Sequence, residues 1–268
     1  LQMNIPQTTP FKTALIIGAT GAIGQAFCNQ LIDQGCKNLY RAARNTENLP
    51  SQDSLNRMQS VYIEDISFDL TNAQSIKGLI SSLPSEIDLV VIATGWLHDI
   101  TEKQGNLHAK EVVSFEPEKT FKSLHPDHLN KSMNINFLGP TLILKELLIH
   151  LPHRKHKTIF AVMSARVGSI SDNKMGGWHS YRSSKAALNM MIKNFSIELK
   201  RVRSKCLVVA LQPGTTNSAL SRPFQKFIKP EQLQTPTYSV EHLLKVLVSL
   251  NEESSGELID FEGNVITP

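Results

Sequence analysis

Apolar, β-prone runs recur along the chain and alternate with stretches of helical period. The runs are TALII (13–17), NLYRAA (38–43), VYIEDI (61–66), LVVIA (89–93), TIFAVM (158–163), CLVVALQ (206–212) and ELIDF (257–261). Between most of them, apolar residues repeat at three- and four-residue spacing, which predicts helices over about 22–34, 72–82, 128–150, 178–203 and 239–250. Such alternation specifies a parallel sheet covered by helices on both faces, because a strand that returns parallel to its neighbour needs a crossover. The unbroken apolarity of 89–93 and 207–211 agrees, since central parallel strands are buried on both sides. The expected fold class is α/β: a doubly wound, single-domain sheet over 1–268 with about seven mainly parallel strands, and a tail over 1–10. One segment breaks the rhythm. Thr94 to about Asp127 holds few periodic apolar positions, many charges, Pro117 and Pro126, and reads either as a surface excursion or as part of a site wall.

A length of 268 residues with 41% hydrophobic content suffices for one large core. The net charge of +4 is modest, and the basic stretches HRKHK (153–157) and KRVRSK (200–205) carry no interleaved aromatic residues. They read as solvated ends of helices or loops, so nucleic acid is not an expected partner. Cys28, Cys36 and Cys206 show no metal-ligand spacing and read as buried thiols in a reducing compartment. No apolar run approaches the roughly 18 residues of a membrane span, and residues 1–12 lack the regions of a signal peptide, so a cytoplasmic protein without a membrane partner is expected. A first residue of Leu rather than Met reads as processing or a cloning remnant. His150, His153 and His156, and His125 and His128, lie three apart but flank Pro152 and Pro126, which interrupt helices; solvated loop residues are expected rather than metal ligands, and no metal site.

Candidate chemistry begins with ALIIGATGAIGQAF, which sets Gly18, Gly21 and Gly24, with Thr20, Ala22 and Ile23 between them, directly after the first strand and at the opening of the first helix. Glycine there permits a tight turn and lets a diphosphate reach the free N–H groups of the helix N-terminus. At the end of the second strand, the acidic residue that would hold a ribose 2′-hydroxyl is missing; Ala43 takes its place and Arg44 follows. Arg44 can pair with a 2′-phosphate, so NADP is favoured over NAD, the alternative being that Arg41 or Arg44 points into solvent. Asp69 suits the adenine amino group or, equally, the cap of the helix over 72–82.

In GGWHSYRSSKAALNMM (176–191), Tyr181 and Lys185 stand four apart, so one helix face brings their head groups together, a weak signal alone. With the glycine loop, NINFLGP (134–140), VMSARVGSISDN (162–173) and LQPGTTNS (211–218), the chain resembles the short-chain dehydrogenase/reductase family over nearly its whole length. The run SARVGSI…GGW…YRSSKAALNM is similar to its C-factor-like group. The resemblance implies a Rossmann fold and hydride transfer between NADP(H) and a carbonyl or alcohol, with Tyr181 as general acid. A free phenol titrates near about 10, so exchange at neutral pH requires about 4 kcal/mol in favour of the phenolate. Lys185 would supply the charge for this and bind the cofactor ribose, and Asn136 would use its backbone to hold a water linking Lys185 to solvent. Ala93 and Gly95 would line the cofactor, Pro213, Gly214 and Thr215 would lie against the nicotinamide, and Thr216 or Ser218 would reach its carboxamide.

Two departures from the family pattern stand out. Counting back three residues from Gly168 for the serine that holds the substrate carbonyl lands on Ala165; Ser164 beside it, Ser169, or no serine at all fills the role. Ile92 replaces the first asparagine after the fourth strand, which ties adjacent strands together, while Gly95 still permits close approach of a cofactor. Trp96, Leu97, the 169–178 loop and Phe224 would form an apolar wall suited to a small lipophilic ketone, aldehyde or quinone. The helices over 128–150 and 178–203 carry apolar residues on more than one face, for example Leu142, Leu144 and Leu148, and Leu188, Met191 and Phe195. Family members often dimerise through these helices, so a homodimer is expected. The alternative function is a dinucleotide-binding signalling or scaffold protein with weak or no catalysis.

Overall fold

The computed structural model describes residues 8–51, 61–103 and 111–268, with 99–103 and 111–115 given as backbone. The chain begins with β1 (Thr13–Ile17), α1 (Ala22–Asp33), β2 (Asn38–Ala43), β3 (Tyr62–Ser67), α2 (Ala73–Ser81) and β4 (Leu89–Ile92). An antiparallel hairpin follows, β5 (Asp99–Lys103) with β6 (Glu111–Phe115), then α3 (Pro126–Met133), a π-helical turn (Asn134–Leu138) and α4 (Gly139–His150). Next come β7 (Ile159–Met163), α5 (His179–Arg201), β8 (Leu207–Gln212), β9 (Thr215–Thr216), β10 (Leu233–Gln234) and α6 (Pro236–Ser249). β11 (Leu258–Asp260) and β12 (Val265–Ile266) close the chain.

The main sheet has eight strands in the order β12-β11-β8-β7-β4-β1-β2-β3, parallel throughout except for the pair β11–β12. This matches the expected doubly wound sheet, with the terminal antiparallel strand as an addition. The alternation of side chains across a strand explains its unbroken apolarity. Ala14, Ile16 and Val91 face Phe27 and Leu31 of α1 and Leu243 and Leu247 of α6. Leu15, Ile17 and Val90 face Ile76 and Leu79 of α2, Ile143 and Leu147 of α4, and Leu188 and Ile192 of α5. The chain runs outward from β1 through β2 to β3, then crosses back to β4, so β1 lies between strands wound in opposite directions. The carboxyl ends of β1 and β4 therefore border a topological crevice, the usual place for a ligand in such sheets.

Several expectations need correction. Pro126 does not interrupt a helix; it lies in the first turn of α3, where its missing N–H costs no hydrogen bond. His128, expected in a solvated loop, is buried on α3, its ring edge-on to Trp96 at 4.9 Å, whereas His125 and His150 are exposed. Arg41 does not reach solvent: its guanidinium is 1% exposed, grips Asp65 at 2.6 and 2.7 Å and donates to Pro50 O. Of the tail expected over 1–10, residues 1–7 lie outside the described residues, and Thr9 is buried with its N–H on Gln34 O. Leu142, Leu148 and Phe195, named for a surplus face, pack against the core; the exposed apolar residues of α4 and α5 are Ile149, Met190 and Ile197. Ile92 is fully buried, and the ladder bond from Ala93 N to Ile17 O, 2.8 Å, ties its strand to β1 without a side chain. No helix among the described residues is long and apolar enough to cross a membrane.

Candidate active site

The loop after β1 turns on Gly18, whose φ of +84° is left-handed; a Cβ there would stand 3.0 Å from the carbonyl carbon of Ala93. A Cβ on Gly24 would overlap Gly18 O, so α1 sits directly against the loop. Gly21 precedes α1 without any side-chain cap, which leaves the first N–H groups of that helix open to a ligand. A cleft of about 470 Å³ opens here, with Gly21, Ala22 and Ile23 in its lining, followed by Ala93, Thr94 and Gly95 at the end of β4. Its lining continues through Met163, Ser164 and Ala165 after β7, Tyr181 and Lys185 on α5, and Pro213, Gly214, Thr215 and Thr216 after β8.

Other expected residues stand outside this lining. Gly18, Thr20 and Gly24 shape the loop, and Thr20 O accepts a bond from Gln25. Arg44 and Asp69 are exposed just beyond β2 and β3, at the same end of the sheet as the cleft. The N–H and hydroxyl of Thr71 donate to Asp69 at 2.8 and 2.7 Å, and they hold its carboxyl below the usual carboxylate range. Asp69 is not the cap of α2: Asn72 is, its Oδ1 accepting from Gln74 N and Ser75 N.

Tyr181 and Lys185 are both buried on the inner face of α5, with Lys185 Nζ 5.7 Å from the Tyr181 ring centre. The ammonium donates to Met163 O at 2.9 Å. Burial brings Lys185 down to about 7 and pushes the Tyr181 phenol above its ordinary value. The expected lowering of the phenol by Lys185 is therefore absent in the chain alone. Both side chains are shielded from bulk water apart from the cleft that they line, and this burial is the cause of both shifts.

Ser164 donates to Asn189 Oδ1 at 2.6 Å. Asn189 escaped the sequence reading, although the four-residue repeat Tyr181, Lys185, Asn189 places it on the same helix face. Its amide can present either end; with Nδ2 toward Ser164, the serine hydrogen is released toward the cleft. Ser169 turns the other way and donates to Thr267 O at 2.5 Å. A Cβ on Gly168 would stand 2.9 Å from the Lys185 backbone, so the loop after β7 runs hard against α5.

Asn136 lies in the π-helical turn, fully buried. Its Oδ1 accepts from Trp96 N at 2.7 Å, and its Nδ2 donates to Trp96 O at 2.8 Å and to the hydroxyls of Ser132 and Ser184, each at 3.1 Å. The side chain thus clamps the loop after β4 to α3 and α5. Trp96 is consequently drawn behind the wall, with Lys131 over its ring, and does not line the cleft as expected.

The apolar side of the cleft is formed by Leu97, Val167, Trp178, Leu220, Phe224 and Ile228. Trp178 packs on Phe224 at 4.9 Å and ends three successive left-handed residues, Gly176, Gly177 and Trp178. From the 169–178 loop, Trp178 alone reaches the lining, while Arg182 ties Gly177 O to Val167 O from below. Both Thr216 and Ser218 line the cleft; Thr216 shares a 3.0 Å bond with Ser239, and the Ser218 hydroxyl makes longer contacts with Ser221, accepting from its N–H at 3.4 Å and donating to its hydroxyl at 3.5 Å. Among the described residues, no cluster of His, Cys, Asp or Glu could hold a metal ion.

The profile of the short chain dehydrogenase family matches residues 12–229. A 1-hydroxy-2-glutathionyl-2-methyl-3-butene dehydrogenase of Rhodococcus sp. (strain AD45) is 26% identical over 95% of this chain and 99% of its own. C-signal of Myxococcus xanthus is 31% identical over 51% of this chain and 76% of its own. Among solved structures, the NADPH-bound carbonyl reductase from chicken fatty liver superimposes with a TM-score of 0.76 at 22% identity, covering 96% of this chain and 99% of that one. The carbonyl reductase Sniffer of D. melanogaster gives the same TM-score at 19% identity, over 96% and 99% of the two chains. With the glycine loop, the Tyr181–Lys185 face and the sheet order in place, these matches make the chain a member of the short chain dehydrogenase family, in its C-factor-like group.

Proposed function

We propose that the chain is an NADP(H)-dependent oxidoreductase that interconverts a small lipophilic carbonyl and its alcohol at Tyr181. The observation that carries this reading is a single cleft whose lining runs from Gly21 to Tyr181, Lys185 and Ser164. A dinucleotide suits it: the left-handed Gly18 turns the loop tightly against Ala93, and the uncapped start of α1 and the bare Gly95 in the lining leave backbone open to a ligand. Gly21, Ala22 and Ile23 would hold the diphosphate, Arg44 the 2′-phosphate, Asp69 the adenine, Lys185 the ribose, and Ala93, Gly95 and Pro213 to Thr216 the nicotinamide end. When bound, the cofactor supplies or accepts the hydride.

The chain's own residues manage the proton and the fit. The buried phenol of Tyr181 keeps its proton at neutral pH and gives it up at the phenolic oxygen only as negative charge develops on the substrate oxygen. Lys185, titrating at about 7, takes up and releases a proton in the working range. Ser164 orients the carbonyl, Asn136 holds the Gly95–Trp96 segment against α5, and the wall of Leu97, Trp178 and Phe224 selects apolar substrates over sugars. The free, buried thiols Cys28, Cys36 and Cys206 suit the reducing cytoplasm, and burial raises Cys28 to about 12 and Cys36 to about 11, which keeps both unreactive. A homodimer through Ile149, Met190 and Ile197 would cover the exposed apolar residues of α4 and α5, and light scattering that gives only the 29.9 kDa mass would remove it.

NADPH oxidation measured against a panel of ketones, aldehydes and quinones tests the reading. Tyr181→Phe should lose about 10²- to 10⁴-fold in kcat while NADPH affinity holds. Equal rates in both proteins would sink the assignment. The 31% identity to C-signal supports a second reading, a dinucleotide-binding signalling protein with little catalysis. Tight NADPH binding without turnover on any carbonyl in the panel would favour it.

A further inference from the structure

Helix α5 carries Tyr181 and Lys185, yet it begins without a cap of its own. Its N-cap position is the left-handed Trp178, with no side-chain hydrogen bond and no acidic residue in the first turn. Open N–H groups at a buried helix start are costly, and a negative charge there is favourable. The missing group arrives from far along the chain. Glu118, between β6 and α3, has a side chain only 1% exposed. Its Oε1 accepts from Ser180 N at 3.2 Å and from the Ser180 hydroxyl, and its backbone O accepts from Trp178 N at 2.5 Å. A Cβ on Gly177 would stand 3.3 Å from that same carbonyl, so the approach of the two segments depends on glycine.

Glu118 also has a partner. His128 Nδ1 lies 3.6 Å from Oε1, and His128 Nε2 bonds Leu97 O at 3.3 Å. Leu97 and Trp178 both line the apolar side of the cleft, whereas Glu118 and His128 stand behind it. Burying a carboxylate is expensive unless it is paired and hydrogen-bonded; among the described residues Oε1 meets Ser180 and His128, while the buried Oε2 has no hydrogen-bond partner, so the contacts at Oε1 hold the side chain in place. We propose that Glu118, together with His128, is a positioning residue that fixes the first turn of α5, and with it Tyr181 and Trp178, at a set distance from the Leu97 wall. The inference rests on the reading of Tyr181 as the proton donor.

Its test uses the full chain as wild type, Glu118→Ala and Glu118→Gln. The chain has two tryptophans, Trp96 against His128 and Trp178 bonded to Glu118, so intrinsic emission reports on this network directly. With a carbonyl that wild type reduces, Glu118→Ala should lower kcat about tenfold to a hundredfold, the range for losing a hydrogen bond to a charged group, with NADPH Kd within about twofold. Its emission should shift to the red. Glu118→Gln keeps an acceptor for Ser180 and should return kcat to within about fivefold of wild type. Wild-type kcat in the folded Ala variant, or an equal loss of NADPH affinity and kcat, would overturn the proposal. Should the Ala variant not fold, or wild type reduce no carbonyl, amide exchange over 177–182 in Glu118→Asp, whose shorter side chain draws the acceptor back from Ser180, decides. Exchange about tenfold faster than wild type supports the positioning role, and unchanged exchange with unchanged emission refutes it.

Discussion

On the glycine-loop side of the cleft the walls are largely backbone: Gly21 and the opening of α1 and the strand ends at Ala93 and Pro213, with Gly18 and Gly24 packed behind them. On the substrate side they are side chains, Leu97, Trp178 and Phe224, held by a second set behind them, Glu118, His128 and Asn136. Backbone walls admit any ligand with the right phosphates and resist substitution, because a single added methyl group meets main chain. Side-chain walls can be rebuilt residue by residue, which is how one fold serves many substrates. The comparison predicts that substitutions on the first side act on folding and cofactor together, and those on the second on turnover.

The largest effect should come from Gly24→Ala. The new Cβ would overlap Gly18 O, a backbone atom that cannot swing aside, so a loss of about 3 kcal/mol or more is expected. Chemical denaturation measures it, and an unchanged midpoint would mean that α1 and the loop separate freely. Trp178→Ala, by contrast, should leave the midpoint nearly in place and raise KM for an apolar carbonyl.

Lys185 belongs to both sides and sharpens the contrast through pH. Burial lowers its pKa from 10.5 to about 7, so between those values the unfolded chain binds a proton that the folded chain does not. Stability should therefore rise as pH increases from 7 toward 9, by up to about 1.4 kcal/mol per pH unit, and be lost as pH falls back through that window. Lys185→Met should flatten the slope. Parallel slopes in both proteins would show that other groups carry the pH dependence.

The same contrast governs what the sequence made legible. Strands β1, β4 and β8 are plain because burial on both faces confines polar residues to the strand ends, Thr13 and Gln212, and the glycine spacing declares a loop because only backbone geometry is involved. Tyr181 and Lys185 are legible through helical spacing, and Asn189 would have been had the repeat been carried one turn further. Glu118 and Ser180 are 62 residues apart and meet only in the folded chain, so no local period announces them. Nearby prolines suggested a solvated loop for His128, yet Pro126 opens a helix that turns this ring inward. Trp96 looked like a wall residue by position, and only the Asn136 clamp explains why it lies behind the wall.

Arg44 tests the outer, adenosine end of the backbone side, where the chain is exposed and the energies are smaller. Arg44→Asp should weaken NADPH binding by about 1.5 kcal/mol, roughly tenfold in Kd, and leave NADH nearly unchanged, because only NADPH carries the 2′-phosphate. Equal losses for the two cofactors in a fluorescence titration would remove Arg44 from the site.

The smallest effect separates the two serines near the carbonyl position. Ser164 lies in the cleft lining and bonds Asn189, on the helix face of Tyr181 and Lys185, whereas Ser169 donates to Thr267 O and accepts from Asp172 N, outside the lining. Ser169 therefore fastens the loop after β7 to the strand-end segment 267–268, and its hydroxyl has no hydrogen to spare for a substrate. Ser169→Ala should cost about 1 kcal/mol of stability, the net worth of an ordinary hydrogen bond, and change kcat by less than about twofold. Ser164→Ala, which loses its bond to Asn189, should cost a similar amount of stability and, unlike Ser169→Ala, lower kcat. A kcat that falls in Ser169→Ala and holds in Ser164→Ala would reverse the assignment and move the carbonyl to the far end of the loop, against Ile170 and Ser171 instead of Asn189.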